Sequence, residues 1–199
     1  MRTNNHLLID PHLLIIGGSG RNVGKTTLAL SIIRKISPLT SVIGLKVSTF
    51  KTGDEKFHGN HSPIPVDSYR INIETGVNPL KDTAKMLSAG AQMSYFIESA
   101  DNMVNTAYND FRASCSSLDY PIVCESQSLR KYVKPGLFIL IIDRLNSKKF
   151  SEDIINLADY VCYTAKSLDC LEKLAESINH TPIGWSLNNK LLLSPDEAL

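Results

Sequence analysis

Long apolar runs are missing from this chain: none approaches the ~20 residues that a helix needs to cross a bilayer, which argues against a helical membrane protein and against membrane partners. An excess of charge of either sign is missing too, since the formal net charge is +1. A broad basic face for nucleic acid is therefore not expected, and any anion must be recognised locally. Closely spaced cysteines are lacking. Cys115, Cys124, Cys162 and Cys170 are scattered with no C-x-x-C pair, and Cys124 and Cys162 fall in strand-like runs where a thiol acts as a small hydrophobe. A reduced, cytoplasmic protein fits this usage. The polar start, Met1 to His6, and the interruption at Asp10 and Pro11 do not have the form of a signal peptide. No internal repeat or low-complexity linker divides the chain. What is present is ordinary for a globular protein: 199 residues, 43% hydrophobic and 21% charged, enough for a single domain over 1–199 with a real core.

One stretch departs from the ordinary. Leu13-Leu14-Ile15-Ile16 has the look of a buried strand, runs into Gly17-Gly18-Ser19-Gly20-Arg21-Asn22-Val23, and continues with Gly24-Lys25-Thr26-Thr27 into a segment whose apolar positions (Leu28, Leu30, Ile32, Ile33, Ile36) are spaced as in a helix. The first N–H groups of a helix have no internal partner and lie at its positive dipole end, so a phosphate group satisfies both. Gly20 to Thr27 are thus the expected phosphate-binding backbone. Lys25 is expected to reach the terminal phosphates, and the Thr26 hydroxyl to hold Mg²⁺. Five residues separate Gly18 from Gly24, one more than the strict motif allows. Arg21 would either add charge to a transition state or point to solvent.

The remaining chain alternates strand-like and helix-like segments, which predicts an α/β fold of three layers, a mainly parallel sheet with helices on both faces. Residues 1–12 read as a lead-in with His6 and His12 on the surface, 48–79 as a loop-rich insertion, and 190–199 as a tail. Strands are expected near 13–17, 41–47, 93–97, 120–126, 136–143, 159–164 and 182–188, and helices near 25–36, 84–90, 101–117, 151–157 and 167–178. Lys46, near the carboxyl end of its strand, is directed at the ligand edge or is a surface lysine with a buried stem. Glu125 closes a short apolar strand, where an uncompensated acid is costly and a Mg²⁺ partner would explain it. Asp82 can cap the helix that follows it. His58 and His61, with Asp54 and Glu55 nearby, are either a metal site or part of a solvated loop.

With these residues quoted, the chain resembles the molybdopterin-guanine dinucleotide biosynthesis adaptor (MobB) family of P-loop NTPases. The likeness lies in Gly24-Lys25-Thr26-Thr27, in Lys81-Asp82-Thr83 through Ala89-Gly90-Ala91 with the strand after it, and in the strand ending at Glu125 followed by Lys134-Pro135. It covers roughly 13–165. It departs from the family in Lys46-Val47-Ser48-Thr49-Phe50, where a histidine-rich stretch is usual, and in Ser126, where glycine is usual. The resemblance implies a Mg²⁺-dependent GTP- or ATP-binding protein and weak NTPase, with Thr26, Asp82 and Glu125 serving the metal, Lys25 and Lys46 acting on the phosphates, and a molybdenum cofactor biosynthesis protein or a second copy of the chain as partner. The same blocks are similar, more weakly, to dethiobiotin synthetase, an ATP-dependent ligase. That likeness adds Gly184-Trp185-Ser186-Leu187-Asn188 and implies that Asn188 contacts the base and Lys46 the substrate.

Overall fold

The computed structural model describes residues 7–50, 67–143, 152–164 and 169–188. Its centre is β1 (Leu8–Gly18), in which Leu13, Leu14, Ile15 and Ile16 are all fully buried. Successive strand side chains point to opposite faces, and here each face meets its own core. Leu14 and Ile16 join the side covered by α1 (Lys25–Ile36), α2 (Asp82–Ser88) and α5 (Asp169–Ser177). Leu13 and Ile15 join the side covered by α3 (Val104–Ser114) and α4 (Glu152–Ile155). A continuous apolar run, rather than an alternating one, is what a strand sandwiched between two helical layers requires. Each such Leu or Ile contributes about 1.5–3 kcal/mol by leaving water, so an aspartate at Ile15 would break both the strand and the core it fills.

Seven strands form one sheet in the order β3-β4-β2-β5-β1-β6-β7. These are β2 (Ile43–Phe50), β3 (Tyr69–Ile73), β4 (Met93–Ala100), β5 (Ile122–Glu125), β6 (Val133–Asp143) and β7 (Tyr160–Thr164). All pairings are parallel except β3 with β4. After β1 the chain crosses to β2 through α1, and β5 later returns to lie between them. Open sheets of this kind leave a crevice beyond the carboxyl ends of the strands where the winding direction changes. No helix among the described residues is long and apolar enough to cross a membrane.

Three expectations are corrected. The lead-in ends earlier than expected, because Leu8 to His12 already belong to β1. The segment 48–79 is not all loop: β2 runs on to Phe50, and Tyr69–Ile73 is an antiparallel edge strand. The last strand does not join the main sheet. Instead β8 (Ile178–Thr181) and β9 (Gly184–Leu187) form an antiparallel hairpin.

That hairpin sits on the amino-terminal end of β1 and buries a polar network. Trp185 donates its indole N–H to the His12 carbonyl at 2.7 Å, and His12 Nδ1 lies 2.9 Å from His180 Nε2. The Asp10 carboxylate accepts from the His12 N–H at 2.9 Å, the Tyr108 hydroxyl at 2.8 Å and Arg112 Nε at 2.9 Å. His12, expected at the surface, is therefore buried, and every ring contact it makes is to a residue more than 100 positions away.

Candidate functional site

A cleft of about 810 Å³ opens at the carboxyl ends of β1, β2, β5, β6 and β7. Arg21, Asn22, Val23, Gly24, Lys25, Thr26 and Thr27 form one wall, and Lys46, Asp82, Lys85, Glu125, Asp143 and Thr164 complete it. The wall from β1 to α1 is fixed by backbone geometry. The Ser19 N–H bonds the Ile141 carbonyl at 2.9 Å, and the Ser19 hydroxyl accepts the Asp143 N–H at 3.0 Å, so the start of the turn is anchored to β6 by two bonds. Asn22 and Gly24 adopt positive φ of 61° and 105°, a conformation that glycine tolerates at no steric cost. At Gly18 the constraint is space: a Cβ there would lie 2.7 Å from Val23 Cγ2 and 2.8 Å from Lys25 Cγ. The Lys25 stem thus lies directly over the glycine that opens the loop.

Helix α1 begins at Lys25 with Gly24 as its N-cap, no side-chain cap and no acidic residue in its first turn. Its first internal bond is Leu28 N–H to the Gly24 carbonyl, at 2.9 Å. The N–H groups of residues 25–27 consequently have no helical acceptor and face the cleft wall that those residues form. This is a partial positive charge with nothing on the helix itself to neutralise it.

Side chains from four different elements meet there. Thr26 donates its hydroxyl to Glu125 Oε2 at 2.8 Å, joining α1 to the end of β5. Glu125 is only 7% exposed. Lys25 curls back to donate to the Gly20 carbonyl. Lys46, from β2, forms an ion pair with Asp82 at the start of α2, and Lys85 approaches the other Asp82 oxygen at 3.4 Å. Burial pushes the Lys25 ammonium down, helped by the Lys46 charge, and outweighs the opposing pull of Glu125 and Asp82. Burial would also raise Asp82, but the hydrogen bond and charge of Lys46, then those of Lys85, prevail and hold its carboxyl below the usual range. Asp82 is therefore ionised at neutral pH. It is the first residue of α2 rather than its cap, which is Lys81.

The structure thus brings Arg21 to Thr27, Lys46, Asp82 and Glu125 together around one cleft, with Gly20 entering through its carbonyl. Asn188 is not among the residues that line it. Its N–H bonds the Ser177 carbonyl at the far end of α5, next to the β8–β9 hairpin. His58 and His61, with Asp54 and Glu55, lie outside the described residues. Lys85, Asp143 and Thr164 were not anticipated. Asp143 and Thr164 end β6 and β7, so the rule that singled out Glu125, a polar residue closing a strand of this sheet, would have found both.

Among the described residues there is no group of three or more His, Cys, Asp or Glu side chains able to hold a metal. The hydroxyl of Thr26 and the carboxylate of Glu125 are hard oxygen donors in contact with each other. Mg²⁺ prefers such donors and takes most of its remaining shell from water and phosphate rather than from a protein cage. No family model, no curated protein and no solved structure matches this chain.

Proposed function

We propose that the chain is a P-loop NTPase that binds GTP or ATP with Mg²⁺ in this cleft, hydrolyses it slowly, and serves as a MobB-like adaptor in assembly of the molybdopterin guanine dinucleotide cofactor. The observation that carries the nucleotide part is the Thr26–Glu125 hydrogen bond at the uncapped start of α1. It pairs an oxygen donor set suited to Mg²⁺ with backbone N–H groups suited to phosphate. The adaptor role rests on the sequence resemblance, as do a cytoplasmic location and a biosynthetic protein or second copy of the chain as partner.

In this reading the N–H groups of residues 20–27 receive phosphate oxygens. Lys25 exchanges the Gly20 carbonyl for a phosphate oxygen, a charge-assisted bond stronger than the neutral one it leaves. Thr26 and Glu125 would hold the metal, which would supply positive charge to offset that of the phosphates. Asp82 is engaged by two lysines, so its part is to fix Lys46 at the cleft, and it reaches the metal shell only by leaving Lys46. Arg21 is exposed at the mouth, placed to meet phosphate from outside.

A second reading, an ATP-dependent small-molecule kinase or ligase resembling dethiobiotin synthetase, is favoured by one feature: Lys46 and Lys85 flank Asp82 on the wall away from α1, where an anionic acceptor could sit. Titration calorimetry of the folded chain with Mg²⁺–GTP and Mg²⁺–ATP tests the shared core of both. Saturable heat with at least one, lost on chelating the metal, is expected; no heat with either overturns both. Turnover that stays slow until a protein is added favours the adaptor, and turnover released by a small acid favours the ligase.

A further inference from the structure

Strands β2, β4 and β3 lie side by side at one edge of the sheet, and side-chain alternation gives them two unlike faces. Leu45, Val47, Tyr95, Ile97, Tyr69 and Ile71 belong to the core shared with α3. The residues between them point to the face that carries α2. There Met86 lies over Gly44, where a Cβ would come within 2.8 Å of Met86 Cβ, and Met86 Sδ is 3.9 Å from Ser94 Oγ. The next two rows toward the carboxyl ends of β2 and β4 are mostly polar. Register places Lys46 beside Phe96 and Phe96 beside Asn72 in one row, and Ser48 beside Glu98 and Glu98 beside Arg70 in the other. The first row begins at the cleft, which Lys46 lines.

Two atoms in these rows are shut off from water and have no hydrogen-bond partner among the described residues: Asn72 Nδ2, a donor, and Glu98 Oε2, an acceptor. An unpaired buried polar atom is destabilising, and one on a charged group more so, which is why folded proteins keep few of them. Here two of opposite sense stand on the same face of one strand pair. Asn72 and Glu98 are diagonal neighbours across β3 and β4, and they do not bond each other. A single hydroxyl, which both accepts and donates, would satisfy the two at once. Both residues are only half-buried, and the end torsions of Asn and Glu side chains are broad. A small turn of either side chain therefore presents its orphaned atom to an incoming group.

We propose that Asn72 and Glu98 hold a hydroxyl group of a small neutral polyol, a ligand of the sugar class, in a subsite beside the Lys46 wall of the cleft. The Asn72 amide donates to the hydroxyl oxygen, and the hydroxyl donates to the Glu98 carboxylate. Ser48, in the row of Glu98, adds a side chain that can also donate and accept, which favours a ligand carrying more than one hydroxyl. The Glu98 carboxylate disfavours an anion, and Lys46 is already paired with Asp82, so the ligand is neutral. The proposal is independent of what fills the cleft.

Proton–nitrogen correlation spectra of the whole chain test this, with the Asn72 side-chain amide pair assigned by its loss in Asn72→Leu. Glycerol, ribose, glucose and inositol are titrated one at a time. At least one should shift that pair saturably, and Glu98→Leu should bind it about ten-fold more weakly or worse, the loss of one hydrogen bond to a charged group. Thermal melts without polyol give a second readout. Leucine leaves no unpaired polar atom behind, so Asn72→Leu and Glu98→Leu should each keep or raise the Tm. No saturable shift with any of the four polyols in the folded, unmutated protein overturns the proposal. A lower Tm in either variant overturns it too, because that side chain would then be serving the fold.

Discussion

Thr26 and Glu125 are 99 positions apart in the chain and 2.8 Å apart in space. The contact joins the first turn of α1 to the last residue of β5, and both sit where β1 and β5 run parallel, with Ile16 beside Glu125. Glu125→Gln keeps the size and one oxygen able to accept from Thr26 but removes the charge. The fold should survive, and nucleotide affinity in Mg²⁺ should fall about ten-fold, the lower end of what loss of a metal-supporting group costs. A Mg²⁺ titration of nucleotide binding that superimposes on that of the parent protein would return Glu125 to a purely structural role.

Among the described residues, Lys25 bonds only to its own loop, at the Gly20 carbonyl. Lys25→Ala should therefore change the Tm little. Because a hydrogen bond to a charged group contributes about 1.5–3 kcal/mol, triphosphate affinity should fall roughly ten- to a hundred-fold. Competition against a fluorescent triphosphate reads the affinity, and a thermal melt in the absence of nucleotide reads the stability.

Gly24 combines a φ of 105° with contact to Leu171. Gly24→Ala should destabilise the chain by about 1–3 kcal/mol through strain at positive φ, and further through the clash. Leu171→Ala on its own opens a void and also destabilises. The double variant should be more stable than the sum of the two losses, since it removes the clash. Strict additivity in denaturant melts would show that the two residues do not press on each other.

Protonation should undo the docking of the β8–β9 hairpin. Burial, and after it the His12 charge, lower the His180 pKa to about 4, against a partial opposing pull from Asp119. The unfolded chain holds this proton at about 6.5. The unfolded state therefore binds more protons between these values, and stability, full above about 6.5, is lost progressively as pH falls through about 4. His180→Gln should flatten the pH dependence of Tm across that window. A slope as steep as that of the parent protein would place its origin in other groups.

The parts of the fold that could be read from sequence are those whose signals are local. The apolar run of β1, the helical spacing from Leu28 to Ile36 and the acid closing β5 each advertise their environment, because a strand buried on both faces and a helix with one buried face impose periodicity on composition. Tyr69–Ile73 went unread because it is a five-residue edge strand set within a polar segment, and although Tyr69 and Ile71 pack against the core, the alternation is too short to stand out. Ile178 reads as the end of a helix and residues 179–181 as a connection, because the pairing that makes them a strand is with residues 184–187 beyond a turn. His12 gave no sign of burial, since what covers it comes from residues 180 and 185. At the site, Lys46 and Asp82 could each be suspected, but their pairing depends on how β2 and α2 are brought together.

Among the described strands, the one that carries the glycine turn comes first in the chain and is among the last that can be seated. Its neighbours are β5 and β6, which begin at Ile122 and Val133, and the bond of Trp185 to the His12 carbonyl near its amino-terminal end forms later still. Contacts between such distant positions must be won against the entropy of closing long loops, which makes them slow to form. A nascent chain stopped before residue 122 has α1, β2 and α2 but no bed for β1. The cleft is therefore a late product of translation, and an unfinished chain exposes the apolar run Leu13 to Ile16 rather than a working site.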